Sequence, residues 1–453
     1  MKDLFLVLLP ILCTVIVARF VLKKYNSIFV FFASGVVILL MAGLLTGNSV
    51  LGDQTTGNLI VDIFTFIVNT FKKNISGVGT IIMTVTGYSA YMKHIKASEK
   101  LAFIATKPLR KIKNPYIVLS GVFFIGLLLK LVITSQAAVA LLLLATTYPI
   151  LMALGINKLT AASTICLVCL DWGPNDGSTI FAAETAGMSV VDFFINHQSI
   201  IGFTMIIILS LIIPIYYKYM DKKDTNRGVA LEKGDDNIVD PDCPWYYALL
   251  PIIPLIIVFI SSFSNIAIDV VAANFMGLLI VFVIEYIRRK DRKDVHKDVL
   301  VVLKAMGDIF VSVVAIIISA SIFAEGIKQL GGISILANYI SGFGSAGILI
   351  VIFMSLITFV AATIMGSGAA SWFAFGPLAP DIAAKIGINQ LGLIIPMELG
   401  AALGRGMSPV AGATIAISGY AGMDVMQVVK RTAPLLILGF VINTVMSIVL
   451  FVL

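Results

Sequence analysis

Apolar residues in this chain come in long, nearly uninterrupted runs, without the period-two alternation of a half-buried strand. The runs Leu4–Leu22, Ile28–Leu45, Ser76–Met92, Ile200–Met220, Tyr246–Ser262, Ile266–Ile287, Val311–Leu330 and Pro434–Val452 are close to the roughly 20 residues that a helix needs to cross a bilayer. Two stretches, Leu59–Asn74 and Val299–Phe310, are amphipathic and predict helices lying along an interface or packed beneath the core. Tyr116–Ile133 with Ala137–Leu154, and Ile348–Met365 with Ala370–Ile386, read as pairs of apolar arms. Each pair meets at a short polar tip, Thr134-Ser135-Gln136 in the first and Gly366-Ser367-Gly368 in the second.

Two further apolar runs are broken by residues that a helix does not carry comfortably. In Thr160–Met188 the interruption is Asp171-Trp-Gly-Pro-Asn-Asp-Gly-Ser-Thr179, with Gly173, Pro174 and Gly177 as breakers. Late in the chain Gly404-Arg-Gly-Met-Ser-Pro409 plays the same part. Pro174 and Pro409, Thr179 and Thr414, Gly187 and Gly422, and Met188 and Met423 all lie 235 positions apart (409 − 174). Gly155-Ile-Asn157 recurs as Gly387-Ile-Asn389, which aligns Ser135 with Ser367. The pattern predicts a duplicated, all-α polytopic membrane protein. Its first repeat spans residues 1–220, a polar linker 221–244, and its second repeat 245–453.

Charge sets the orientation. Lys and Arg gather at Lys23, at Lys93–Lys113, at Tyr217–Cys243, at Arg288–Lys304 and at Lys430–Arg431. If each pair of arms is a re-entrant hairpin, each half crosses the membrane about five times and the repeats are inverted. All five basic loops then fall on the cytoplasmic side, as the positive-inside rule requires, and both termini lie outside. Arms that span fully remain the alternative. The N-terminal run resembles a signal peptide only in part: Arg19 follows Ala18 without a good cleavage site, and Leu8-Leu9-Pro10 returns as Leu249-Leu250-Pro251. It is kept as the first crossing.

Composition agrees with this reading. Of 453 residues 59% are hydrophobic and 13% charged, about half the usual charged fraction of a soluble protein; the mean hydropathy is +1.02. The net charge of +7 lies in short loops beside apolar runs, so it marks topology and excludes a nucleic-acid-binding domain. Cys166 and Cys169 sit in an apolar run without a second pair, and read as small buried hydrophobes. No phosphate loop, dinucleotide fingerprint or nucleophile elbow is present. His94, His197 and His296 fall in or beside loops, so neither an enzyme nor a metal centre is expected, and no cofactor.

Inverted repeats with helices broken at mid-depth are the architecture of secondary transporters. Irregular backbone is tolerated there only where it lines a cavity, and it offers amides to anions and carbonyls to cations. The expected substrate-binding set is Thr134, Ser135, Gln136, Asn175, Ser178, Thr179, Gly366, Ser367, Gly368, Arg405, Ser408 and Thr414. The intramembrane acids Asp171, Asp176 and Glu398 are candidates for ion coupling; Glu184 is a further acid that could equally line a helix near the interface. Coupling is to H⁺, or to Na⁺ held by backbone carbonyls. Arg405, costly within a bilayer, either binds a substrate carboxylate through its planar fork or pairs with Glu398, Asp171 or Asp176. Lys130, near the first tip, neutralises an acid, reaches the substrate or snorkels.

Several motifs together resemble the DcuC-type anaerobic C4-dicarboxylate carriers: Thr86-Gly-Tyr-Ser-Ala-Tyr-Met-Lys-His-Ile95, Thr106-Lys-Pro-Leu-Arg-Lys-Ile-Lys-Asn-Pro-Tyr116, Leu403-Gly-Arg-Gly-Met-Ser-Pro409 and Val428-Val-Lys-Arg-Thr-Ala-Pro434. The likeness runs over essentially the whole chain. It implies a secondary carrier of the bacterial inner membrane for succinate or fumarate, working by exchange or by cation-coupled uptake or efflux, and a homodimer. The chain departs from the family's pattern at the first tip and at the first break. Those departures leave a carrier of amino acids or monocarboxylates on the same scaffold, and a channel, as the alternatives.

Overall fold

The computed structural model is helical throughout, with no strand among the described residues. It describes residues 25–112, 114–225, 240–262, 268–290, 292–330 and 346–453, together with scattered residues between Leu9 and Lys23. Most of the expected crossing Leu4–Leu22 and most of the polar linker therefore lie outside the described residues. Six described helical stretches are long and apolar enough to cross a membrane: Ser27–Thr46, Val190–Asp224, Val270–Arg288, Arg292–Gln329, Gly347–Met365 and Val425–Phe451.

The spacings in the sequence recur in how the helices start and stop. Asn157 caps the helix Lys158–Cys166 by accepting from the Leu159 amide, and the Asn389 side chain, 232 positions on, accepts from the Leu391 amide at the start of Leu391–Gly406. Ser135 accepts from Ala138 and Ser367 from Ala370 in the same way. Such caps replace helix bonds that the first-turn amides lack. The half-helices after the two breaks, Gly177–Thr185 and Gly412–Ala421, begin 235 positions apart.

The amphipathic segments differ from expectation. Leu59–Asn74 does not stand alone at an interface. It runs through a π-turn, Ile75–Gly79, into Thr80–His94, with the kink at Gly77. Arg292–Ile309 passes through the π-turn Phe310–Val314 into Ala315–Gln329 in the same manner. Each is one long bent helix whose amphipathic part buries only a narrow face, at Ile63 in the first and at Val295 and Val302 in the second, and leaves most of its apolar side chains partly or fully exposed. Ser199–Thr225 also runs past residue 220, where the first repeat was expected to end. Its last turns carry Asp221 and Asp224, which hold the buried Arg431.

Two bodies follow from the packing. Ser27–Thr46 lies against Ala315–Gln329, and Val270–Arg288 against Thr80–His94, so each half of the chain packs on the other. Gly35 and Gly326 allow the first crossing and Gly277 the second, while Gly87 lets Val302 and Met306 of Arg292–Ile309 approach Thr80–His94. This framework surrounds a larger core built mainly from residues of the two hairpins, the two broken segments and the helices Ser199–Thr225 and Val425–Phe451. Within that core, Leu391–Gly406 and Ala346–Met365 touch so closely that a Cβ on Gly404 would lie 2.1 Å from the Phe359 carbonyl oxygen. Gly404→Ala is therefore expected to destabilise the protein by about 1–3 kcal/mol, read as a lower thermal midpoint in detergent. Gly419→Ala, with nothing within 4 Å, is the control that leaves the midpoint in place or raises it.

Candidate functional site

Both breaks differ in extent from the pattern in the sequence. In the first, helix ends at Cys166 and resumes at Gly177, leaving residues 167–176 as irregular backbone. Gly173, at φ +103°, adopts a conformation open only to glycine. In the second, helix continues through Gly406, so Arg405 stands in a last helical turn and residues 407–411 form the break. Two indoles fasten the hairpins to the first break. Trp172 Nε1 donates to the Leu127 carbonyl at 3.0 Å, and Trp372 Nε1 to the Ser178 carbonyl at 3.1 Å.

The four interruptions converge on one cavity of about 380 Å³. Thr134, Ser135 and Gln136 line it from the first tip, Asp171, Asn175, Asp176 and Ser178 from the first break, and Gly366 from the second tip. Arg405 and residues 411–413 close the second-half side, while Ile82, Val85, Thr86, Ile309 and Val313 form the framework wall. The two bodies therefore meet at this cavity.

Its charges are concentrated on one side. Arg405 grips Asp171 with both terminal nitrogens, Nη1 to Oδ2 and Nη2 to Oδ1, each at 2.8 Å. Nη2 also donates to the Cys169 carbonyl at 2.7 Å. From the other side the fully buried Lys130 reaches Asp171 Oδ1 at 3.2 Å and Asp176 Oδ2 at 3.7 Å, and donates to the Thr134 carbonyl. Lys130 thus neutralises acids and does not snorkel. Arg405 takes Asp171 among its three expected acidic partners. The formal charges, two cations against two carboxylates, balance. Asp176 has a second task, accepting from the Ser178 amide at 2.9 Å as the cap of its own half-helix.

Glu398 lies apart from the cavity. It is buried and accepts from Gln198 Nε2 at 2.7 and 2.9 Å and from the Thr179 hydroxyl at 3.0 Å, with no cation in ion-pair reach among the described residues. Gln198 also accepts from the Gly173 amide at 3.1 Å. One amide thus ties the first break to the half-helix that precedes the second. Gln198 escaped the sequence reading because Ile-Asn-His-Gln-Ser looks like an ordinary polar turn before an apolar helix. Phe373, from the second hairpin, escaped as well, being one aromatic among many.

Several expected site residues serve structure in this arrangement. Thr179 faces Glu398. Ser367 caps its own helix, and Gly368 lets that helix approach the Ala401 carbonyl. Ser408 is buried and its hydroxyl accepts from the Val410 amide. Thr414 is buried against Cys166, its Oγ1 3.6 Å from the thiol sulfur. None of these five, nor Glu398, lines the cavity, because the alignment of the repeats fixes helix register but not which side of a half-helix faces the centre.

Broken helices and hairpin tips that enclose one polar cavity within a bundle of crossing helices define a membrane transporter. The chain belongs to the DcuC family of anaerobic C4-dicarboxylate carriers, whose family model matches residues 5–452. A Vibrio cholerae relative, named as a probable anaerobic C4-dicarboxylate transporter DcuC, is 32% identical over 96% of this chain and 95% of its own length. The anaerobic C4-dicarboxylate transporter DcuC of Escherichia coli K12 is 31% identical over 96% of this chain and 94% of its own. Among solved structures the fold is similar to the YdaH transporter of Alcanivorax borkumensis, with a TM-score of 0.56 at 14% identity, covering 92% of this chain and 96% of that one. The chain is a multi-pass membrane transporter and not an enzyme.

Removing one member of the charge cluster leaves a buried partner uncompensated, which costs about 3–5 kcal/mol. Lys130→Met is expected to lower the thermal midpoint accordingly. Adding Asp176→Asn removes the orphaned acid and should recover part of the loss. A double variant no more stable than the single one would mean that Lys130 and Asp176 are not coupled.

Proposed function

We propose that this protein is a secondary carrier of C4-dicarboxylates in the bacterial inner membrane. It moves them by alternating access of the hairpin-bearing body against the framework. The observation that carries the reading is the shared cavity. Both tips and both breaks reach it, Arg405 lines it, and Lys130 lies buried behind it against Asp171 and Asp176, as a solute site between broken helices requires. Re-entrant hairpins, inverted repeats and both termini outside belong to this reading, supported by the distribution of Lys and Arg; a homodimer belongs to it on the strength of the family resemblance.

Charge balance bears on coupling. Arg405 and Lys130 are already matched by Asp171 and Asp176, so a dianion entering the cavity brings uncompensated charge into a medium of low dielectric. Either cations enter with the substrate, or one dianion leaves as another arrives. Cation-coupled movement puts a proton or Na⁺ on the acids beside the site; exchange needs neither.

Uptake of labelled succinate into proteoliposomes tests the function. Accumulation driven by an imposed proton or Na⁺ gradient would mark coupled movement. Uptake only into vesicles preloaded with dicarboxylate would mark exchange. Arg405→Ala is expected to lower uptake by at least roughly tenfold, the loss of one charge-assisted contact. Uptake at the unaltered rate would remove that residue from the substrate site.

A further inference from the structure

Among the described residues, one neutral side chain lining the cavity carries a buried nitrogen without a partner. Gln136 opens the helix Gln136–Thr146 at the first tip, is 7% exposed, and its Nε2 is buried without a hydrogen-bond acceptor. An amide nitrogen in that condition forfeits about 1–3 kcal/mol. It lines the same cavity as residues 411–413, the start of the half-helix Gly412–Ala421, and the two helices pack together. That half-helix also lacks something. The other three helices that begin at the cavity's tips and breaks carry side-chain caps from Ser135, Asp176 and Ser367, whereas Ala411 offers no side chain that could accept from the first-turn amides. A Cβ placed on Gly412 would meet nothing within 4 Å, so the space before these amides is open.

We propose that Gln136 Nε2 and the first amides of Gly412–Ala421 form a second carboxylate subsite, made of neutral donors. It receives the far carboxylate of a dicarboxylate whose near carboxylate lies beside Arg405 and Lys130. This rests on the dicarboxylate reading and assigns a recognition residue within it. Two sets of donors, the buried Gln136 Nε2 and the uncapped amides that begin at the exposed Gly412, belong to residues lining one cavity and match an acceptor-rich group. A carboxylate offers about four lone-pair sites without a donor of its own, and a helix N-terminus favours negative charge. Neutral donors also suit a cavity whose own charges already balance. The subsite gives dicarboxylates their advantage over ligands with one carboxylate, because an amide in that place would set its own N–H against donors.

Succinate and its monoamide, which match in length and differ in one terminal group, provide the test in proteoliposomes of the full chain. Gln136→Met keeps the volume and removes the donor. The KM for succinate is expected to rise roughly tenfold, while the inhibition constant of the monoamide changes little. Gln136→Glu keeps the shape and reverses the preference, since the new carboxylate repels succinate and accepts from the monoamide. Both variants shifting both ligands by one common factor, or by none, would overturn the subsite and leave Gln136 a positioning residue at the tip. If Gln136→Met does not fold, the isosteric Glu variant decides alone. The unaltered carrier failing to take up succinate would overturn the dicarboxylate reading itself, and the subsite with it.

Discussion

Asp171 sits between Arg405 and Lys130, held by the guanidinium fork on one side and by the ammonium on the other. Charges at this depth are tolerated only when matched, and each of the three comes from a different element. Lys130 ends the first arm of the first hairpin, Asp171 lies in the first break, and Arg405 stands in the last turn before the second break. The cluster is therefore a point at which the two halves are joined electrostatically, beside the pairing of Arg431 with Asp221 and Asp224. Remove it, and the irregular backbone of residues 167–176 loses the contacts that hold it off lipid.

Around that joint the packing is arranged to keep backbone exposed to the cavity and nowhere else. The indole of Trp172, in the first break, spends its one donor on the Leu127 carbonyl of the first hairpin, and that of Trp372, in the second hairpin, on the Ser178 carbonyl just after the break. Gln198 accepts from the Gly173 amide and donates to Glu398, so the least regular stretch of the chain is satisfied from a neighbouring π-turn. Among the groups left unsatisfied, Gln136 Nε2 and the uncapped amides after Ala411 belong to residues that line the cavity, where a solute can complete them. The same economy explains why the site contains few polar groups for its size. Several of those expected there, Thr179, Ser367 and Thr414 among them, are spent on holding the elements in place.

Much of this was legible from residues alone. The runs of apolar positions gave helices to within a few residues, since a bilayer leaves no other way to satisfy a backbone. Spacings of 232 and 235 located tips, breaks and caps, as the Asn157 and Asn389 pair shows. Arg405, Lys130 and the acids stood out because charge is rare in such runs. Less legible was the continuity of Leu59–His94 and Arg292–Gln329. A π-turn in each keeps the chain helical while changing its direction, and the change of polarity there looks like the end of an element.

What the sequence by itself determined is the class of solvent, the helical content and the positions at which helix fails, because each of these follows from local backbone chemistry and the period of apolar residues. Only the tertiary structure decided which polar residues share the cavity. Thr179, Ser408 and Thr414 turn into the core while Gln136 and Asn175 turn toward the centre. The tertiary structure also decided which acid Arg405 takes. The reason is geometric. Side-chain direction on a short half-helix depends on the angle at which it leaves the break, and that angle is set by contacts across the two halves, hundreds of residues apart in the chain.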